Sequence, residues 1–234
     1  MNLLNPQSLV GPAFTGLGFV VGVIVYWLEA RRRNLATEGM TRILLFGAIG
    51  GVLIARLIER LVEGANLVGT FDPTSGGRTI LGGVVGGWLA VEVAKRRMGI
   101  RVSTGPLWAL ALPAGEFFGR IGCYFNGCCF GKECDLPWAI YQHGALRHPT
   151  QIYMAVAALA IFAVVWKLRD RAPIFPIYLV LWSLGRFIIE FFRQPVEPHV
   201  GLSLAQKGCL AILALGVYLY AKEASHEQRA TNHS

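Results

Sequence analysis

The stretch PTQIYMAVAALAIFAVVWKL, residues 149–168, decides which solvent this chain folds in. Between Ile152 and Trp166 it carries no charged residue. Its length matches the ~20 apolar residues that one helix needs to cross a bilayer. Comparable runs recur along all 234 residues, which are 54% hydrophobic and only 15% charged. Soluble domains carry about 25% charged residues. That balance excludes an ordinary soluble enzyme and points to a polytopic membrane protein.

Working outward from that run, the sequence predicts an all-α membrane protein with seven transmembrane helices. The spans are Pro12 to Leu28, Arg42 to Val62, Thr79 to Ala94, Thr104 to Gly119, Pro149 to Leu168, Phe175 to Phe192 and Leu202 to Lys222. The first is not a cleavable signal peptide. It lacks a basic leader and ends in Glu29-Ala30-Arg31-Arg32-Arg33, a stop-transfer flank without a small-residue cleavage site.

Loop charge orients the chain, because cytoplasmic loops collect Lys and Arg. Arg31, Arg32, Arg33 and Arg42 follow the first span, Lys95, Arg96, Arg97 and Arg101 the third, and Lys167, Arg169 and Arg171 the fifth. The alternate loops are poorer in cations. The N-terminus is therefore expected outside and the C-terminus in the cytoplasm. This bias accounts for most of the net charge of +8, so no nucleic-acid partner is called for.

Residues 1–222 read as one seven-helix transmembrane domain, with an outside loop segment at about 119–148 and a second outside stretch from Glu63 to Arg78 containing DPTSGGR. The polar tail 223–234 reads as a disordered cytoplasmic extension. The glycine-rich runs FGAIGG and LGGVVGG suit close helix packing.

Charges inside spans are the functional signal, since each costs ~2.5–3.5 kcal/mol at a helix centre on insertion scales. Arg56, Glu59 and Arg60 lie in the second span, and Glu116 and Arg120 stand one turn apart at the end of the fourth. The sixth ends in GRFIIEFFRQP (185–195), whose Arg186, Glu190 and Arg193 at i, i+4 and i+7 predict one helical stripe. One carboxylate does not neutralise two arginines at this depth. The surplus calls for an anion, and in a membrane the abundant anion is a phospholipid phosphate, which suits the planar arginine fork.

The segments GRIGCYFNG (119–127), HPTQIY (148–153), GRFIIEFFRQP and SLAQ (203–206), with GGRTILGGVVG (76–86), resemble the signature segments of the prolipoprotein diacylglyceryl transferase family. The resemblance covers most of the chain. It implies an enzyme of the bacterial cytoplasmic (inner) membrane that moves diacylglyceryl from phosphatidylglycerol to the lipobox cysteine of a preprolipoprotein and releases glycerol phosphate. It implies no cofactor and no bound metal. Arg120 and Arg186 would hold the phosphate, Glu190 would orient an arginine, and Arg193 would guard the outer mouth. Gly119, Gly122, Asn126, His148, Gln151 and Gln206, from the same segments, join the implied lipid site. His148 is also a plausible proton acceptor near neutral pH.

Departures from the family pattern fall on proton-handling groups. Leu81 stands where the family carries a histidine, Cys123 where it carries an asparagine, and Cys128 and Met154 where it carries glutamates. Trp182 and Thr15 replace tyrosines. The cysteines in GRIGCYFNGCCFGKEC (119–134) are spaced C-x4-C-C-x4-C, which is not a standard zinc spacing. A structural disulfide or buried thiols, a thiol relay, and a metal site all remain open for Cys123, Cys128, Cys129 and Cys134. Three functions follow. The first is a lipid-to-protein transferase, which the retained arginines favour. The others are a protein that binds or moves anionic lipid without the chemistry, and a membrane thiol oxidoreductase.

Overall fold

The computed structural model describes residues 6–35, 37–63, 80–195 and 201–232, excluding the side chains of 6–8, 59, 62, 63, 80, 81, 84 and 226–232. Seven α-helices lie among them: α1 (Pro6–Arg32), α2 (Glu38–Glu63), α3 (Ile80–Arg97), α4 (Gly105–Phe125), α5 (Thr150–Leu168), α6 (Ile174–Glu190) and α7 (Leu204–Asn232). Each coincides with one predicted run. Stretches of α1, α2, α5 and α7 are long and apolar enough to cross a membrane. The chain is a helical membrane protein. Exposed Phe19, Phe46, Val156 and Tyr218 fit helix faces whose solvent is lipid.

Two compact units divide the chain. The first holds residues 1–28 and 104–234, and the second holds 29–103. In the first, α4 packs on α5, α5 on α6, and α6 on α7. Leu107, Leu110, Val165, Ile174 and Tyr178 form its interior. There α1 approaches α4 through glycine, because a Cβ at Gly115 would fall 2.7 Å from the Gly18 carbonyl oxygen and one at Gly122 would fall 2.8 Å from that of Gly11. In the second unit, the predicted packing glycines of FGAIGG and LGGVVGG face each other across α2 and α3. A Cβ at Gly51 would fall 3.0 Å from the Gly83 carbonyl, and one at Gly87 3.1 Å from that of Gly47. Glu29 is buried and holds Arg32 and Arg33 at 2.7 and 2.6 Å. Arg56 is half-buried in α2, while the Glu59 and Leu81 side chains and the stretch 64–79 lie outside the described residues.

Between α4 and α5 the chain forms a two-stranded antiparallel hairpin, β1 (Ile140–Gln142) and β2 (Ala145–Arg147), in register Ile140↔Arg147. Its two-residue turn, His143 and Gly144, has both φ angles positive, at 51° and 81°. That is the turn whose twist matches a right-handed hairpin. The loop segment expected at 119–148 thus begins inside α4 and carries strand structure of its own. At the other end, α7 runs past Lys222 to Asn232, into the stretch whose composition reads as a disordered tail. Ala, Lys, Glu, Gln and Arg there are good helix formers.

The glycine contact is testable. Gly115→Val should cost roughly 1–3 kcal/mol through overpacking against α1. A Cβ at Gly16 would meet nothing within 4 Å, so Gly16→Ala should be neutral or stabilising by up to about 1 kcal/mol. Thermal unfolding in detergent measures both, and equal midpoints for the two variants would refute the packing assignment.

Candidate active site

The site begins with two buried arginines, each paired to a carboxylate on its own helix. On α4, Arg120 donates from Nε and Nη2 to Glu116 Oε1 at 3.0 and 2.8 Å. The other Glu116 oxygen accepts from Trp182 Nε1 of α6 at 2.8 Å. On α6, Arg186 Nη2 lies 2.7 Å from Glu190 Oε2. Arg120 and Arg186 are 5% and 6% exposed, so both charges are withdrawn from the surface. Tyr178, Trp182 and Arg186 follow at successive turns of α6, all buried. Arg186 lies within electrostatic reach of Arg120 and Arg193 as well as Glu190. Three guanidiniums therefore converge against two carboxylates.

Arg193 departs from the predicted stripe. α6 ends at Glu190, and Arg193 follows in the turn, its Nη1 3.7 Å from Glu190 Oε2. Pro195 disfavours a helical Gln194, and the chain instead zips onto the loop after α4. Lys132 N–H donates to the Phe192 carbonyl at 2.8 Å, Gln194 N–H to that of Phe130 at 3.1 Å, and Gly131 bridges Arg193. A Cβ at Gly131 would strike His148 and Phe192, so glycine permits this approach.

The end of α4 explains the cysteine spacing. Gly127 takes φ 64°, its N–H donates to the Tyr124 carbonyl, and Cys128 N–H donates to that of Cys123 at 3.1 Å. This is the Schellman motif, whose hydrogen bonds bring the residues five apart at its ends into contact. Cys123 and Cys128 are that pair. Cys129 follows with φ 61°, a left-handed conformation uncommon outside glycine. Side chains from the start of α5 hold this turn, since Thr150 Oγ1 donates to the Cys129 carbonyl at 2.7 Å and Gln151 Nε2 to that of Cys128 at 2.8 Å. The sulfurs of Cys123, Cys128 and Cys129 lie within 4.8 Å of one another. Arg193 Nη2 donates to Cys129 Sγ at 3.4 Å, which joins the thiols to the arginines.

The remaining expected site residues divide. Gly119 leaves open space beside Arg120, and the Asn126 side chain abuts Gly11 of α1. Gln151 is buried and serves the cysteine turn rather than an open surface. His148 packs on Phe192, with Nδ1 3.3 Å from the Tyr153 hydroxyl, which also accepts from Trp138 Nε1 at 2.8 Å. Gln206 caps α7. Its N–H donates to Ser203 Oγ and its Oε1 accepts from Ser203 N–H, at 3.1 and 3.0 Å. SLAQ is thus a capping box. Sequence reasoning missed Trp182 as the partner of Glu116 and Thr150 as a clamp. Nothing in linear spacing signals the first, and the second was visible only as a hydroxyl at a helix start.

The class these features define is a helical membrane protein with a buried arginine–carboxylate cluster beside a thiol turn. The pattern of the prolipoprotein diacylglyceryl transferase family matches residues 13–222, and the chain belongs to that family. Among its relatives, a phosphatidylglycerol–prolipoprotein diacylglyceryl transferase of Nitratidesulfovibrio vulgaris (strain DSM 19637 / Miyazaki F) is 30% identical and is matched over 92% of each chain. One of Idiomarina loihiensis is 31% identical over 84% of this chain and 77% of the relative. One of Clostridium tetani is 26% identical over 89% and 90% respectively.

Thiol reactivity within the turn follows from its hydrogen bonds. Donation from Cys123 and Cys128, then the charges of Arg193 and Arg120, holds the Cys129 thiol below the usual range. Hydrogen bonding with Cys123, then with Cys129, together with burial, pushes the Cys128 thiol up. Because a lowered pKa keeps the thiolate present as pH falls, Cys129 should alkylate faster than the more exposed Cys128 in metal-free protein. That reactivity should persist below the ordinary thiol range. Peptide mapping after timed iodoacetamide treatment measures it, and an ordinary thiol pH profile at Cys129 would refute it.

Proposed function

We propose that this protein transfers the diacylglyceryl group of phosphatidylglycerol to the lipobox cysteine of preprolipoproteins in the bacterial cytoplasmic membrane. One observation carries the reading: Arg186 lies within electrostatic reach of both Arg120 and Arg193, and among the described residues the carboxylates these three arginines pair with are Glu116 and Glu190. The surplus positive charge matches a phosphodiester at rest and a phosphate monoester as it departs. Preformed donors that meet charge as it develops are the larger part of such catalysis. Arg120 and Arg186 grip the phosphate, Glu190 orients Arg186, and Arg193 stands at the rim next to Cys129. Gly119 leaves room beside Arg120 for the headgroup. His148, tied to Tyr153, borders the site through Phe192.

In this reading all seven helices span the membrane. The N-terminus and the 119–148 segment face outward and the C-terminus faces the cytoplasm, in keeping with the cationic loops. The acceptor then meets the site from the outer side, where an exported lipobox segment emerges.

Two outcomes test the proposal. Expression should restore lipoprotein modification in a strain depleted of its diacylglyceryl transferase, read as lipoprotein mobility. Arg120→Lys and Arg186→Lys should weaken phosphatidylglycerol binding by about 1.5–3 kcal/mol, roughly ten- to a hundredfold, because an ammonium lacks the bidentate fork. Parental affinity in both lysine variants would refute the phosphate assignment. For the orientation, exposed Lys132 should react with an impermeant amine reagent in intact cells. Labelling only after permeabilisation would reverse it.

A further inference from the structure

We infer that Cys123, Cys128 and Cys129 form a three-thiolate zinc site whose open fourth position takes the acceptor thiol. The role of the metal rests on the transferase reading, whereas the metal site itself does not.

The geometry is the first argument. Three Sγ atoms already lie within 4.8 Å of one another. Zinc thiolates at about 2.3 Å place tetrahedral sulfurs roughly 3.8 Å apart, so rotamer adjustments of about 1 Å close the site. Among the described residues no fourth Cys, His, Asp or Glu joins the group. Three protein ligands with one position left is the pattern of catalytic zinc, and four is the pattern of structural zinc. Cys128 is exposed while Cys123 and Cys129 are half-buried, so the cluster opens on one side.

The surroundings are the second argument. The turn is built to aim sulfurs. The Schellman bonds bring Cys128 onto Cys123, and the left-handed backbone at Cys129 turns the third sulfur to the same point. Thr150 and Gln151 fix the carbonyls of Cys129 and Cys128. Three thiolates and one zinc carry a net negative charge, which Arg193 meets by donating to Cys129 Sγ at 3.4 Å. Such outer contacts orient metal ligands and tune them. A disulfide would occupy two of these sulfurs and leave the third, with its strained backbone, unexplained. A covalent relay fares worse, because diacylglyceryl on Cys129 would be a thioether, whose sulfur is a poor leaving group.

The chemistry closes with the reaction. A thiol that coordinates zinc gives up its proton. The lipobox S–H, as fourth ligand, loses its proton to solvent and becomes a thiolate. Its sulfur forms a bond to the glyceryl carbon of phosphatidylglycerol, and the bond from that carbon to the phosphate oxygen breaks. The electron pair leaves with glycerol phosphate, held by Arg120 and Arg186. No other base is required.

The test uses the full chain, reduced and in detergent micelles. Zinc content after gel filtration should be one ion per chain, and cobalt in its place should give sulfur-to-cobalt charge-transfer absorption. Cys123→Ser, Cys128→Ser and Cys129→Ser should each weaken zinc binding at least about tenfold, and Arg193→Gln, which keeps every ligand, by roughly tenfold. Cys134→Ser should bind zinc as the parent does. A lipobox peptide should strengthen the charge-transfer band, and its Cys→Ser analogue should not. Reduced parent protein without zinc or cobalt binding overturns the proposal, as does Cys134→Ser losing as much as Cys128→Ser. Full transfer in chelator-stripped protein overturns the role of the metal. Stoichiometric zinc without transfer from phosphatidylglycerol upholds the site and overturns the transferase reading instead.

Discussion

The constraint on which the site depends is the cost of withdrawing a guanidinium from water, which Arg120 and Arg186, 5% and 6% exposed, both incur. Arg120 and Arg186 meet it in the same way, each with a glutamate one turn earlier or later on its own helix. Each helix thus neutralises its charge before it meets a neighbour. The tertiary structure then uses what is left over. The free oxygen of Glu116 takes the indole N–H of Trp182, which ties α4 to α6 and sets the two arginines against the same space. Arg193 adds a third guanidinium, shared between Glu190, which Arg186 already engages, and the Cys129 sulfur. Under the proposed function, an anionic substrate completes this electrostatic set.

Most of the helical skeleton was legible because the bilayer demands long apolar runs, and residues 149–168 became α5 with one residue's difference. The charges within these runs were legible for the same reason, as exceptions to apolarity. Arg193 was not legible. A spacing of i, i+4 and i+7 makes a stripe only while the helix continues, and backbone pairing with residues 130–132 ends it at Glu190. Trp182 read as a lost tyrosine, yet its indole N–H fills a donor's position against a carboxylate 66 residues away in sequence. Gln206 carries a local role that the resemblance did not signal. Ser203 and Gln206 stand at capping-box spacing, and resemblance to a signature segment drew attention to lipid instead of to the helix start.

The cysteine spacing was opaque for a more instructive reason. Familiar zinc patterns pair a C-x2–4-C unit with a second ligand pair a dozen or more residues on, whereas here Cys129 follows Cys128 at once, so the first C-x4-C has to be read on its own. It is the spacing of the two ends of a Schellman motif, so it gains meaning once Gly127 is known to terminate α4. The contact between Cys123 and Cys128 is imposed by the backbone. Any pair of small side chains placed there would touch. Cys129 is different, because its left-handed backbone and its clamped carbonyl are features that a mere apolar contact does not need.

The arginine set and the thiol set are therefore built separately. Arg120 is positioned by Glu116 from within the helix, while the thiols are positioned by the helix end and by Thr150 and Gln151 of α5. Substitutions at the cysteine positions can change the chemistry of the turn without moving Arg120 and Arg186. One described hydrogen bond joins the two sets, from Arg193 to Cys129. Arg193 also reaches Glu190, so a change in charge at Cys129 is felt at the carboxylate that orients Arg186. Arg193 is therefore shared between the thiol turn and the Glu190 carboxylate, and the two sets meet at that one side chain.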